Sequence, residues 1–514
     1  MNLLKPLIYV SLATFISKIL GFIRDIIIAR TFGATVMTDA FFISFKLINL
    51  LRRIFAEGVF FQVFIPILIN YKKNFDLDST KKFISYVLGM LIVSLSIIIF
   101  LGIVFSPNIL KITAPGFVNT DFKFSLSTKI LRITFPFILI ISLSSIFSAI
   151  LNTWNMFFIP AFSAIFLNGS MIFFTIFSNK ISNPPVLSLA WSVIVGGILQ
   201  IIYQLIYLKN INMLILPKFT LNDNGIWIMF NKMWPVLISM SIHQMSIIFN
   251  TIFTSFLSSG SVSWMYYADR IMEFPSGILG IALNTILFPS LSRSVTNKDE
   301  EEYSKSLDWG LRLCFILSIP ISFALIILSK PIVFSMFQYG KFSYFDAIMT
   351  QKALIAYSIG LIGIILVKIL TPSFYSHQDT KTPLKVSLIS FFATQILNFI
   401  LIAKLEHIGL SLSMGITACF NSALLYWYLI KKGLFIPKNG WKQFFKKIII
   451  SVFIMSLSLI IILEYMPDWE IGGILSRLSR LIFIILFGFL IYILSLLSLG
   501  FRLKDFSYTS KYKN

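Results

Sequence analysis

Residues 7–30 read LIYVSLATFISKILGFIRDIIIAR. The run is long enough for one bilayer crossing, which takes about 20 mostly apolar residues. Yet it holds Lys18, Arg24 and Asp25 in its second half and Arg30 at its end. A cleavable signal would be shorter and would close on a small-residue site. No A-x-A pattern follows here, so the stretch reads as a retained spanning helix. Ionisable groups at that depth are costly, and they usually face a bundle interior or a wet cavity. One segment therefore poses both questions of the chain: what spans the membrane, and what the charge inside it is for.

The rest of the sequence has the same character. Of 514 residues, 57% are hydrophobic and only 12% charged, about half the charge of a soluble globular chain. Mean hydropathy is +0.87. Soluble, disordered, coiled-coil and collagen-like classes are excluded together. Fourteen apolar segments follow one another, near 7–30, 34–62, 83–106, 125–153, 158–178, 184–208, 228–256, 263–290, 307–329, 346–375, 384–403, 408–430, 443–464 and 477–500. The longest connections, around Lys72–Lys82, Pro107–Lys123 and Lys209–Trp227, are too short for a soluble catalytic domain. The expected fold is an all-α polytopic membrane protein with fourteen transmembrane helices.

Charge is distributed unevenly: 43 basic against 21 acidic residues give +22. In a soluble protein that balance would suggest nucleic acid. Here the cations gather in alternate loops, at Lys72, Lys73, Lys81, Lys82, Lys209, Lys218, Arg293, Lys298, Lys381, Lys385 and from Lys431 to Lys447. The opposite side holds Glu464, Asp468 and Glu470. By the positive-inside rule the basic side is cytoplasmic. An even helix count puts both termini there, and no nucleic-acid partner is implied.

An internal repeat runs at a spacing of 223–224 residues. Pro66 matches Pro289, Pro107 matches Pro331, Gly116 matches Gly340, and Lys129 matches Lys352. Pro160 matches Pro383, LSLA at 187–190 matches LSLS at 410–413, Tyr203 matches Tyr426, and Lys209 matches Lys432. Each half then holds six helices. Six is even, so both halves enter the membrane the same way, as a parallel repeat about an axis along the membrane normal. The division expected is 1–215 for an N-lobe, 216–435 for a C-lobe and 436–514 for two extra helices with a cytoplasmic tail.

The intramembrane charge concentrates on three helices. The first carries Lys18, Arg24 and Asp25; the second carries Asp39, Lys46, Asn49, Arg53 and Glu57 at helical steps, with Arg52 beside them. The eighth carries Asp269, Arg270 and Glu273, with Pro275 close behind. Cations outnumber their acidic neighbours, and an unpaired cation in low dielectric is costly until an anion arrives. Arginine suits phosphate because its planar fork reaches two oxygens at once. The inference is a central cavity for an anionic, phosphorylated substrate. The last two helices have almost no such charge; they suit either packing or a groove for a hydrocarbon tail.

Other chemistries lack their residues. Cys314 and Cys419 sit in apolar runs, and His243, His377 and His407 are too scattered for a zinc motif. There is no phosphate-binding Gly-rich loop, no G-x-S-x-G and no H-E-x-x-H. No metal and no cofactor are expected. Energy would come from an ion gradient or from the membrane potential, which acts on a cationic interior at about 2.3 kcal/mol per charge per 100 mV.

Three motifs carry a resemblance: SKILGFIRDIIIARTFGA at 17–34, TDAFFISFKLINLLRRIFAEG at 38–58 and SWMYYADRIMEFPSGILG at 263–280. They closely resemble the MurJ (MviN) lipid II flippase family, within the multidrug/oligosaccharidyl-lipid/polysaccharide exporter superfamily, and the likeness runs over the whole chain. The resemblance implies two six-helix lobes forming a V around the cavity, with helices 13 and 14 making a groove for the undecaprenyl tail. It implies that lipid II, the peptidoglycan precursor, is moved from the inner to the outer leaflet of the cytoplasmic membrane. By position in the motifs, the cavity residues fall on Lys18, Arg24, Asp39, Lys46, Asn49, Arg52, Arg53, Glu57, Ser263, Asp269, Arg270 and Glu273. Lys18 stands where the family usually has Arg, and Ile48 where a Pro is usual. Some members bind sodium in the second lobe, where this chain has Lys368. The expected partners are lipid II and membrane lipids, and the expected state is a monomer.

Rival classes want other residues. A cation-coupled drug exporter would want an acidic cavity. A membrane glycosyltransferase would want catalytic carboxylates and a large extracellular loop. A scaffold gives no reason for intramembrane arginines. A flippase for another polyprenyl-pyrophosphate-linked oligosaccharide would share the cationic cavity.

Overall fold

A computed structural model describes residues 4–54, 60–220 and 224–502, and every regular element among them is helical. Helices are what hydrocarbon permits, because each backbone N–H and C=O finds its partner within the segment. Large apolar side chains remain exposed along them, including Ile449, Phe453, Leu457, Phe483, Leu486 and Phe489. A water-soluble surface does not carry apolar patches of that extent.

Contacts divide the chain into two compact units: residues 1–263 with Tyr339–Phe342, and residues 264–338 with 343–514. The first unit begins with α1 (Leu4–Phe32), α2 (Val36–Arg52), α3 (Phe60–Asn74), α4 (Leu77–Val104) and α5 (Ser106–Thr113). It continues through α6 (Asp121–Thr134), α7 (Phe137–Thr153), α8 (Phe158–Ile176), the short α9 (Ser178–Ile181), α10 (Leu187–Asn210) and α11 (Asn224–Ser255). α8 packs between α1 and α10, and α2 lies on α6. Ser44 Oγ, 3.0 Å from the Ser127 carbonyl, ties α2 to α6. α2 runs unbroken through Ile48, the position without the family's proline, and loosens into a π turn at Arg53–Ile54.

Two glycines of this unit hold the end of α1. Gly33 has φ +68°, and a Cβ there would stand 2.5 Å from the Lys341 carbonyl. Gly340, at φ +61°, abuts the Arg30 backbone, and Lys341 N donates to Arg30 O at 2.9 Å. Only glycine takes that backbone freely while also leaving room for the neighbouring chain. Gly116, the repeat mate of Gly340, abuts the Ser255 backbone in the same manner.

The second unit holds α12 (Ser261–Thr296, whose first turn belongs to the first unit), α13 (Glu300–Ile327), α14 (Ser329–Phe337), α15 (Tyr344–Ile359) and α16 (Leu361–Ser376). It closes with α17 (Lys381–Lys431), α18 (Trp441–Glu464) and α19 (Ile474–Ser498). Gly360 and Gly363 let the α16 backbone touch α17 at Gly415 and Cys419, as small residues do between membrane helices. Tyr492 Oη donates to Ile316 O at 2.8 Å and ties α19 to α13. α18 packs on both α13 and α19.

Among the described residues every expected segment overlaps helix, with four differences in continuity. The expected span 34–62 falls on α2 and α3, with residues 55–59 outside the described ones. The expected span 125–153 falls on α6 and α7, with a turn at 135–136. The other two concern the second unit. The expected span 346–375 is a pair, α15 and α16, bent by 42° at Gly360. The expected spans 384–403 and 408–430 are one 51-residue helix broken at Glu406 (φ 48°, ψ −129°). Unbroken, it would be about 75 Å long, more than twice a hydrocarbon core. Among the described residues, nine helices, or ten with the bent pair, are long and apolar enough to cross a membrane. α2, at 17 residues, carries Asp39, Lys46 and Arg52, so charge and length together keep it outside that set.

Candidate functional site

In the first unit, Arg24 is 7% exposed and Asp25 is fully buried. Arg24 Nε and Nη2 both donate to Asp25 Oδ1, at 2.9 and 2.7 Å. Nη1 donates to Asn168 Oδ1 at 3.0 Å and lies 3.7 Å from Met171 Sδ. Asn168 Nδ2 in turn donates to the Ser17 carbonyl of α1 at 3.1 Å. The guanidinium is thus held in one orientation by α1 and α8. Lys18, on the same helix, is exposed and forms no ion pair among the described residues.

α2 presents two environments. Near its start Asp39 is fully buried. Its Oδ2 accepts from Lys123 Nζ at 3.2 Å and from Gly260 N at 2.8 Å. Its Oδ1 accepts from Ser263 N at 3.1 Å and Ser263 Oγ at 2.8 Å. Four donors meet one carboxylate, and hydrogen bonds of this kind join α2 to its neighbours. Lys123 also lies 4.1 Å from the Phe117 ring centroid. Two turns on, Lys46 and Arg53 are exposed, and Asn49 and Arg52 are half-buried. Arg52 Nε donates to Asn49 Oδ1 at 3.1 Å, and Arg53 forms no ion pair among the described residues. Glu57 lies outside the described residues.

In the second unit, Asp269 and Glu273 are exposed on α12 and Arg270 is half-buried. Arg270 Nη1 reaches Glu273 Oε2 at 2.7 Å one turn along. Lys368 of α16 donates to the Ser276 carbonyl at 2.9 Å, in space left by Gly280. Among the described residues no group of three His, Cys, Asp or Glu could hold a metal ion. Cys314 and Cys419 are free thiols.

The structure pairs several of the expected residues: Arg24 with Asp25, Asp39 with Ser263, Asn49 with Arg52, and Arg270 with Glu273. Sequence reasoning missed Lys123 and Asn168. Lys123 had a usable signal, because its match at the repeat spacing is another buried charge, Asp346, which accepts from Trp264 Nε1 at 2.9 Å. Asn168 is uncharged and gave no sign in a search for charge.

A helical chain with apolar spans and buried, hydrogen-bonded charge is a multi-pass membrane protein of the transporter class. The comparisons then give its family. The family model for "Lipid II flippase MurJ" matches residues 28–498. The chain is 47% identical over 507 residues to the "Probable lipid II flippase MurJ" of Buchnera aphidicola subsp. Schizaphis graminum, covering 99% of each chain. It is 41% identical over 460 residues to the "Lipid II flippase MurJ" of Burkholderia cenocepacia, covering 89% of each. A solved structure, "Lipid II flippase MurJ, inward closed conformation", superposes with a TM-score of 0.80 at 27% identity, over 95% of this chain and 98% of that one. The chain belongs to the MurJ lipid II flippase family.

Proposed function

We propose that this protein is a lipid II flippase. It carries the undecaprenyl-pyrophosphate-linked disaccharide-pentapeptide from the inner to the outer leaflet of the bacterial cytoplasmic membrane, for peptidoglycan and cell-wall synthesis. It works by alternating access, as a transporter and not an enzyme, with both termini cytoplasmic. Fourteen crossings divide into an N-lobe at 1–215, a C-lobe at 216–435 and a tail groove at 436–514. The protein acts as a monomer among membrane lipids.

The observation that carries this reading is the cationic stripe of the first unit. Lys18 and Arg53 are exposed and form no ion pair among the described residues, and Arg24, on the same helix as Lys18, is held in place by Asp25 and Asn168. Mobile and fixed cations together suit a pyrophosphate, whose oxygens accept several charge-assisted bonds. Lys46, Asn49, Arg52, Glu57, Asp269, Arg270 and Glu273 complete the path, while Asp39 and Ser263 shape it. Coupling is to the membrane potential or to an ion gradient, with no resident cofactor.

A flippase for another polyprenyl-pyrophosphate-linked sugar would use the same cations, so the substrate is tested in cells. The chain is expected to restore growth and shape to a bacterium depleted of its own lipid II flippase. Membrane-inserted protein that gives no rescue contradicts the assignment.

A further inference from the structure

A cavity of about 350 Å³ at the start of α18 contains none of the charged residues of the path above. It is lined by Trp309 and Arg312 of α13, Gln443, Phe444 and Lys447 of α18, and Phe501, among others. The lining holds two cations and no carboxylate. Behind it, Asp308 fixes Arg312. Arg312 Nε donates to Asp308 Oδ2 at 2.7 Å, and Nη2 donates to the Asn439 carbonyl at 3.0 Å. The other Asp308 oxygen accepts from Trp441 Nε1 at 2.8 Å and Lys438 N at 3.2 Å. The guanidinium also lies over the Trp441 ring, 4.8 Å from its centroid.

These contacts leave Arg312 Nη1 with no hydrogen bond among the described residues, directed toward Gly440, 3.9 Å from where a Cβ would stand. Gly440 has φ +98°, so glycine is required by the backbone, and its missing side chain keeps the approach to Arg312 open. Lys447 follows Gln443 by four residues and so shares its face of α18. Its ammonium forms no salt bridge among the described residues and lies 5.2 Å from the Phe501 centroid. No acidic side chain occupies the first turn of α18, and Lys442 and Lys446 are exposed beside it. An apolar strip continues along the face that carries Gln443 and Lys447: Ile454 is 39% and Ile461 48% exposed.

We propose that this cavity binds the phosphodiester of an anionic glycerophospholipid of the phosphatidylglycerol type. Arg312 Nη1, Lys447 Nζ and the Gln443 amide are the donors, and the acyl chains lie along Ile454 and Ile461. A cationic recess that opens onto an apolar strip matches a phosphate ester attached to hydrocarbon. Tryptophans near the recess suit the interfacial depth at which such a headgroup sits. Basic pockets between spanning helices on the cytoplasmic side are a known form of lipid headgroup site. The choice of leaflet rests on the orientation proposed above; the binding itself does not.

The test uses the purified full-length protein in a zwitterionic detergent. Short-chain phosphatidylglycerol, phosphatidylcholine and inorganic phosphate are titrated separately, and binding is read with a labelled phosphatidylglycerol. Saturable binding of phosphatidylglycerol is expected, at least tenfold tighter than of either control. Lys447→Gln and Gln443→Glu, both surface changes, are expected to weaken it at least tenfold with the melting temperature of the lipid-free protein unchanged. Equal affinity in the wild type and both variants overturns the site. Displacement by inorganic phosphate at equal concentration overturns the lipid as its ligand. The readout is independent of transport, so failure of the flippase assignment in cells leaves this result standing, and the reverse also holds.

Discussion

The two ends of α2 carry charge under opposite conditions. At the start, Asp39 is sealed from solvent and takes four hydrogen bonds from Lys123, Gly260 and Ser263. Toward the end, Lys46 and Arg53 are exposed, and Arg52 donates to the Asn49 amide oxygen. A buried charge with all its partners supplied by the protein holds helices together and has little left to offer a ligand. An exposed cation that forms no ion pair among the described residues, such as Arg53, keeps its donors for an anion. One helix thus carries a fixed joint at one end and, in the function proposed, a binding surface at the other.

The largest expected effect is at the joint. Asp39→Ala removes the acceptor of a buried lysine, and breaking such a pair costs about 3–5 kcal/mol. Thermal unfolding in detergent should show a large loss, and membrane levels of the variant should fall. If Asp39→Ala melts like the wild type, the joint is misassigned. Arg24→Ala belongs to the same class, because it strands buried Asp25. Its loss of growth rescue therefore mixes stability with transport. The double variant Arg24→Ala/Asp25→Ala is expected to recover stability without recovering rescue, and a double variant that rescues growth removes Arg24 from the path.

A smaller effect is expected at Gly33. Alanine there must adopt φ +68° and push against the Lys341 carbonyl, a strain of about 1–3 kcal/mol. The melting temperature should fall measurably, with less effect from Gly433→Ala, where φ is also positive but no atom lies within 4 Å. Smaller still is the surface clasp between Asp379 and Lys432, whose Oδ2–Nζ distance is 2.6 Å. Burial acts to raise the Asp379 carboxyl, but bonds from Lys432 and Thr382 outweigh it and hold the pKa at about 2. A depressed carboxyl stabilises the fold above its unfolded value near 4, and that contribution disappears as pH falls through 2. Lys432→Met should therefore lower the melting temperature slightly and by the same amount from pH 5 to pH 8. A difference that changes across that range contradicts the assignment.

Much of this was legible in the sequence. Apolar length placed the long helices, and the repeat spacing placed Gly116 and Gly340 at matching contacts. Charge at helical steps found α1, α2 and α12. What escaped was pairing. Asp39 meets Lys123 across 84 positions, and Lys123 lay in a segment read as a connection. Arg24 and Asp25 are neighbours that a helical wheel sets about 100° apart, yet the long arginine side chain bends back onto the carboxylate. The bend at Gly360 and the break at Glu406 depend on local backbone angles, which hydropathy does not report.

The outward-facing cations give the decisive comparison. Leaflet exposure of lipid II is measured in flippase-depleted cells that express the wild type or Lys18→Gln/Arg53→Gln. Both residues are exposed and form no ion pair among the described residues, so the variant should unfold at the wild-type temperature. Exposure of lipid II on the outer leaflet should fall at least tenfold. A variant that is equally stable and flips lipid II at the wild-type rate would contradict the cationic stripe as the binding surface for the pyrophosphate.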